Sequence, residues 1–147
     1  MLKKGFTLIE LLVVIAIMAV IAAAVLVAID PVDKIRSAND AKVQADVGQI
    51  ATALTTYAAT NGGVYPTSAE GLAKLETSGE LSKLPKPPTA AGYGAAYSYA
   101  SDATGSFANI SGTILSKKYS GAAKTAWGWC NTSTSAGAVD ALGTCPP

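Results

Sequence analysis

Among the residues that could carry chemistry, Glu10 is set apart by where it stands. It lies in a mostly apolar run from Phe6 to Ile29, and no other charge falls between Gly5 and Asp30. A carboxylate inside a membrane-length helix costs about 2.5–3.5 kcal/mol on insertion scales. Such groups are retained where they find a partner. A single chain is therefore expected to leave Glu10 unsatisfied once its helix is out of water. One cation could be made nearby: a new terminal amine, if the chain were cut between Gly5 and Phe6. That amine would lie four residues from Glu10 in its own helix, or beside a neighbour's Glu10 if helices stagger. The charge pattern thus points to cleavage at Gly5–Phe6 and to self-association.

The remaining chemistry is sparse. The 147 residues include no histidine, which removes the commonest general base and metal ligand. No nucleophile–base pair can be assembled around one, and the carboxylates show no paired spacing, so no catalytic residues, metal ligands or cofactor are expected. Net charge is +1, too small for nucleic-acid binding through bulk charge. Lys117, Lys118 and Lys124, near Tyr119 and Trp127, read as a solvated loop rather than as a DNA-binding patch. Trp127 and Trp129 alternate as on a strand, and one of them is expected to be buried and the other half-covered. Gly92-Tyr93-Gly94 reads as a turn. Asn109-Ile-Ser and Asn131-Thr-Ser match a glycosylation pattern short enough to occur by chance. Cys130 and Cys145 are too few for a four-thiolate zinc site. In an exported chain they read as one disulfide closing the C-terminal loop, with two unrelated thiols as the alternative.

These groups must be positioned by a few elements. From Leu11 to Ile29 the chain is uncharged, enough helix to cross a bilayer at about 1.5 Å per residue. Lys3 and Lys4 precede it, which predicts a single pass with the N-terminus inside. A secretory signal or a plain signal anchor would share these features, but neither has a use for Glu10. Asp30-Pro31-Val32-Asp33 predicts a helix restart: a capping Asp, Pro at the first helical position and an acidic first turn. Ile35, Val43, Val47, Ile50, Leu54 and Tyr57 recur at helical spacing, with Lys34, Asp40, Lys42, Gln44 and Gln49 opposite. Asn61-Gly62-Gly63 ends this helix. A short helix bearing Leu72 and Leu75, capped by Ser68, should follow, then a proline-rich loop. Three β-like runs close the chain: Ala95–Ala100, Ser106–Leu115 and Ala126–Asn131. The predicted class is α+β, a long N-terminal helix with a break near Pro31 packed on a small antiparallel sheet.

Lys-Gly-Phe-Thr-Leu-Ile-Glu followed by an apolar helix resembles the class III signal of type IV pilins and type II secretion pseudopilins. The resemblance covers Lys3 to about Ile29. It implies a leader of residues 1–5, removed by a prepilin peptidase, and methylation of the new terminal residue, Phe6. It assigns 6–29 to a transmembrane and filament-core helix and 30–147 to a globular pilin domain that includes helix 31–61. Glu10 would match each incoming subunit to the terminal amine of one already placed. Partners would be other copies of the chain, the peptidase, and a cytoplasmic ATPase with a membrane platform. The protein would sit first in the inner membrane and then in a surface filament. Asn61-Gly62-Gly63-Val64-Tyr65-Pro66-Thr67, continuing to Leu72, is similar to the segment after the long helix in major pseudopilins. The disulfide-bounded tail instead resembles pilins. The calcium loop usual in pseudopilins lacks its carboxylates, since only Asp102 and Asp140 are acidic after Glu80. The expected role is major pilin of a type IV pilus; the rivals are a type II secretion major pseudopilin and a minor or DNA-uptake pilin.

Overall fold

A computed structural model describes residues 5–120, 124–132, 136–139 and 145. The chain divides into two compact units, Met1–Lys34 and Ile35–Pro147.

In the first unit, α1 spans Leu8–Ile29 and has no buried residue. Its 22 residues make a rod of about 33 Å, close to the hydrocarbon thickness of a bilayer. The helix stops where Asp30 turns left-handed at φ 46°, a conformation that a short polar side chain tolerates better than most. Asp30 also starts the next helix. Its Oδ1 accepts from the Asp33 amide at 3.3 Å, and its carbonyl accepts from the Lys34 amide at 3.2 Å. Pro31, which has no N–H to satisfy, takes the first position of α2, Pro31–Thr60.

In the second unit, α2 turns Val43, Val47, Ile50, Leu54 and Tyr57 into the core, as their spacing predicts. Ile35 departs from that pattern and is 63% exposed. The helix ends as the Gly63 amide reaches back to the Ala58 carbonyl (2.8 Å), with Gly62 at φ 68°. Helix α3, Ala73–Thr77, buries Leu75, and Leu72 is buried at its N-cap. Ser68 is not its cap. The Ser68 hydroxyl donates to the Ser101 carbonyl at 2.6 Å and accepts from the Ser101 amide at 2.8 Å. It therefore ties this loop to the sheet, a tertiary bond that local spacing cannot reveal.

The sheet is a four-stranded antiparallel meander of β1 (Ser98–Ser101), β2 (Ala108–Thr113), β3 (Ala126–Cys130) and β4 (Gly137–Val139). A one-turn helix, α4 (Lys117–Ser120), connects β2 and β3. The second and third expected runs shorten, the first shifts to end at Ser101, and β4 is an addition inside the polar tail. Tyr99, Ile110 and Trp129 lie across from one another, as do Gly112, Trp127 and Ala138. This face meets α2: a Cβ on Gly112 would lie 2.7 Å from the Tyr97 ring and 2.8 Å from Val43. The opposite face carries Asn109, Ser111, Ala126, Cys130 and Val139, which are also buried. Burial on both sides explains why β2 alternates so weakly in sequence.

Candidate functional site

The N-terminal segment places Gly5, Phe6 and Glu10 together at the start of α1. Thr7 is extended (φ −85°, ψ 150°) and its hydroxyl accepts from the Glu10 amide at 3.3 Å. The Glu10 carboxylate returns the bond: Oε2 accepts from the Thr7 amide at 3.4 Å and the Thr7 hydroxyl at 3.2 Å. This reciprocal cap satisfies two of the helix's orphan donors. Within one chain, then, the partner of Glu10 is Thr7 rather than a cation. The signal was present as Thr7-x-x-Glu10, a capping box hidden within an apolar run. Phe6 is 75% exposed, and so are the large side chains along the rest of α1. Water is an unfavourable solvent for such a surface. The helix is long and apolar enough to cross a membrane. A Cβ added to Gly5 would meet nothing within 4 Å, so packing among the described residues does not demand glycine there.

On α2, the side expected to face solvent does structural work. Asp40 is 1% exposed. Its Oδ1 accepts from the Leu115 amide (2.9 Å) and the Tyr93 hydroxyl (2.6 Å), while Oδ2 accepts from the Ser116 amide (2.8 Å). Burial pushes this carboxyl up, but the bonds from Ser116, Tyr93 and Leu115 outweigh it and hold the group below its ordinary range. Burial and the Asp40 charge together push the Tyr93 hydroxyl well up. Six residues further along α2, Asp46 accepts from the Tyr97 hydroxyl and pairs with Lys42, whose Nζ also donates to the Lys86 carbonyl at 2.6 Å. Asp40 and Asp46 thus pin to α2 the segment before β1 and the segment after β2, which meet at one end of the sheet. Sequence spacing missed Asp40 because its donors lie more than fifty positions away.

Along β3, two aromatic pairs pack against the core. Tyr119 meets Trp127 edge-on with centroids 6.2 Å apart, and Tyr65 meets Trp129 at 6.3 Å. The Lys118 ammonium lies 5.1 Å from the Tyr119 ring centre, and Gln44 donates to the Tyr119 hydroxyl at 2.8 Å. Both tryptophans are half-buried, which corrects the expectation that one would be enclosed. They share a face of β3, and each has an aromatic neighbour. Asn109 is 3% exposed, and the Asn131 side chain donates to the Ser106 carbonyl (2.8 Å) and accepts from the Ala108 amide (3.2 Å). Both sequon asparagines are therefore built into the sheet.

Cys130 and Cys145 form the expected disulfide, with Cα atoms 5.5 Å apart. Asp102, the sole described carboxylate after Glu80, is spent on its own loop. It accepts from the Ser106 amide (2.7 Å), the Phe107 amide (3.1 Å), the Thr104 hydroxyl (2.7 Å) and the Ser106 hydroxyl. These bonds hold it well below the usual carboxylate range. A calcium ion seeks six or more oxygens with several carboxylates, and the described residues do not supply that set; Asp140 lies outside them.

An apolar N-terminal helix with a capped glutamate, followed by a helix packed on a small antiparallel sheet, defines a pilin-like subunit. Residues 1–26 match the family model of the prokaryotic N-terminal methylation motif. Residues 31–112, more than half of the chain, match the model of type II secretion system (T2SS), protein G, and the chain belongs to that family of pilins and pseudopilins. The match ends at Gly112, before α4, the tryptophans and the disulfide. No curated protein and no solved structure matches the chain.

Proposed function

We propose that this chain is the major subunit of a type IV pilus, cut between Gly5 and Phe6, methylated on Phe6 and polymerised through α1. The observation that carries the reading is the contrast between the two units. Ile35–Pro147 has a core of its own, whereas α1 has no buried residue. An anchor is useful only if something covers it, first lipid and then the α1 helices of other copies. Transfer from lipid to a helix bundle gains little from the hydrophobic effect, because both surroundings are apolar. Extraction therefore needs an energy-using assembly ATPase with its membrane platform. The packing freedom at Gly5 supports a role outside the fold, in a peptidase site that accepts the smallest side chain before Phe6. Once Phe6 bears the terminal amine, Glu10 is four residues away and offers register to an incoming neighbour.

A second reading, a pseudopilus piston of type II secretion, is favoured by the family match over 31–112. The disulfide favours the pilus. A minor-pilin role is the third. Intact mass of the protein recovered from membranes tests the processing step. The expected chain begins at Phe6, carries one added methyl group and is two hydrogens lighter than its reduced form. A chain still beginning at Met1 overturns the assignment.

A further inference from the structure

We propose that Asn61 is a site of spontaneous modification: its side chain closes a ring with the Gly62 amide, releases ammonia and reopens as isoaspartate or aspartate. This chemistry is independent of the pilus reading, since it needs only one turn of the chain. Of the four asparagines, only Asn61 precedes a glycine. Asn39 lies inside α2 and Asn109 inside β2, and the Asn131 side chain is held by Ser106 and Ala108. Asn61 and Gly62 are exposed just past the end of α2, and a Cβ on Gly62 would meet nothing within 4 Å. Base and water therefore reach both residues. Gly62, at φ 68°, has no side chain to hinder attack by its nitrogen. The flanking amides are engaged: Asn61 donates to the Tyr57 carbonyl at 3.0 Å and Gly63 to the Ala58 carbonyl at 2.8 Å. The Gly62 amide between them has no acceptor among the described residues, so its deprotonation breaks no hydrogen bond of the fold.

The Gly62 nitrogen gives its proton to hydroxide and bonds to Cγ of Asn61. The Cγ–Nδ2 bond breaks, and Nδ2 takes a proton from water and leaves as ammonia, which returns the hydroxide. Water then adds to the cyclic imide. Opening at Cγ gives aspartate; opening at the Asn61 main-chain carbonyl gives isoaspartate, in which the chain runs through Cβ. The last turn of α2 restrains the first step. Nδ2 donates to the Tyr57 carbonyl at 2.8 Å and to the Thr60 hydroxyl at 3.1 Å, which holds the side chain back along the helix. Attack therefore waits on local opening of that turn. The products cannot rebuild it. A carboxylate has no proton for the Tyr57 carbonyl, stands at the negative end of the helix dipole and finds no basic residue in the last turn.

The test incubates the full chain in neutral detergent at mildly alkaline pH, in water enriched in heavy oxygen. The tryptic peptide Val43–Lys74 is then separated by chromatography and mapped by mass spectrometry. The expected result is one heavy oxygen at position 61, with isoaspartate and aspartate both present, while Asn39, Asn109 and Asn131 stay intact over the same period. The same chain unfolded in urea should convert about tenfold faster, the factor for a turn held by two modest hydrogen bonds. Thr60→Ala, an exposed change that removes one of them, should convert about threefold faster than wild type. Asn61→Gln should stay unmodified. No heavy oxygen at position 61 overturns the proposal. So does aspartate without isoaspartate, which direct hydrolysis gives with no part for Gly62. A folded chain that converts as fast as the unfolded one, or Thr60→Ala at the wild-type rate, overturns the restraint by the last turn.

Discussion

Replacing Asp40 with alanine removes the acceptor for the amides of Leu115 and Ser116, both held at 2.8–2.9 Å. The Tyr93 hydroxyl fares better, because the Arg36 carbonyl still accepts from it at 3.0 Å. Each buried donor left without a partner costs about 1–3 kcal/mol. Relief of the desolvated charge offsets part of that, leaving a net loss of about 3 kcal/mol. For a chain of this size the midpoint of thermal unfolding should fall by roughly 10 °C. Tryptophan emission in neutral detergent is the assay, since both rings sit on β3 and report on the second unit rather than on α1. Asp40→Asn should lose about half as much, because its amide nitrogen cannot accept from whichever donor it faces. The folded state holds the Asp40 carboxyl below its ordinary 3.8. Its stabilisation is therefore present above that pH and lost as the pH falls through the folded value. The gap between wild type and Asp40→Asn should close below about pH 4. An Asp40→Ala midpoint within about 2 °C of wild type, or a gap that ignores pH, would refute the account of this carboxylate.

Gly112→Ala places a methyl group against Tyr97 and Val43 and should cost about 1–3 kcal/mol, read as a lower urea midpoint with unchanged slope. Replacing Cys130 and Cys145 by serine opens a link of sequence separation 15. It should cost about 3 kcal/mol in the same assay. For Glu10, two variants separate capping from charge. Glu10→Ala loses the cap on α1, about 1 kcal/mol of local helix stability, whereas Glu10→Gln can keep accepting from Thr7 without the charge. Under the proposed role both fail to enter filaments at the normal rate; normal assembly by Glu10→Gln would leave Glu10 as a cap alone.

Local pattern reveals most of this fold, and distant partners account for what it hides. The apolar stretch, the Asp30-Pro31 restart and the 4–3–4–3 spacing from Val43 to Tyr57 each encode a helix within a few residues. The break needs only Asp30 and the donors three and four residues on. β4 is different: Gly-Ala-Val has no alternation, and pairing with β3 makes it a strand. Asp40 reads as a surface residue because its polarity fits the outer side of α2. Its burial is decided by the amides of Leu115 and Ser116, which the chain delivers much later. Ser68 follows the same rule, choosing Ser101 over the helix beside it. At the N-terminus the cap is encoded locally as Thr7-x-x-Glu10, but the apolar residues on either side mask it. The aromatic pairs bring Tyr65 and Tyr119 from outside the sheet to β3, which no one-dimensional pattern contains.

The most direct test of the central claim is electron microscopy of material sheared from cells that produce this chain at native level, with gold-labelled antibody against Ile35–Pro147. Labelled filaments built from a chain that starts at Phe6 are the predicted result. A chain that stays in the membrane as a monomer, with no labelled filament at the surface or in the periplasm, would contradict assembly through α1.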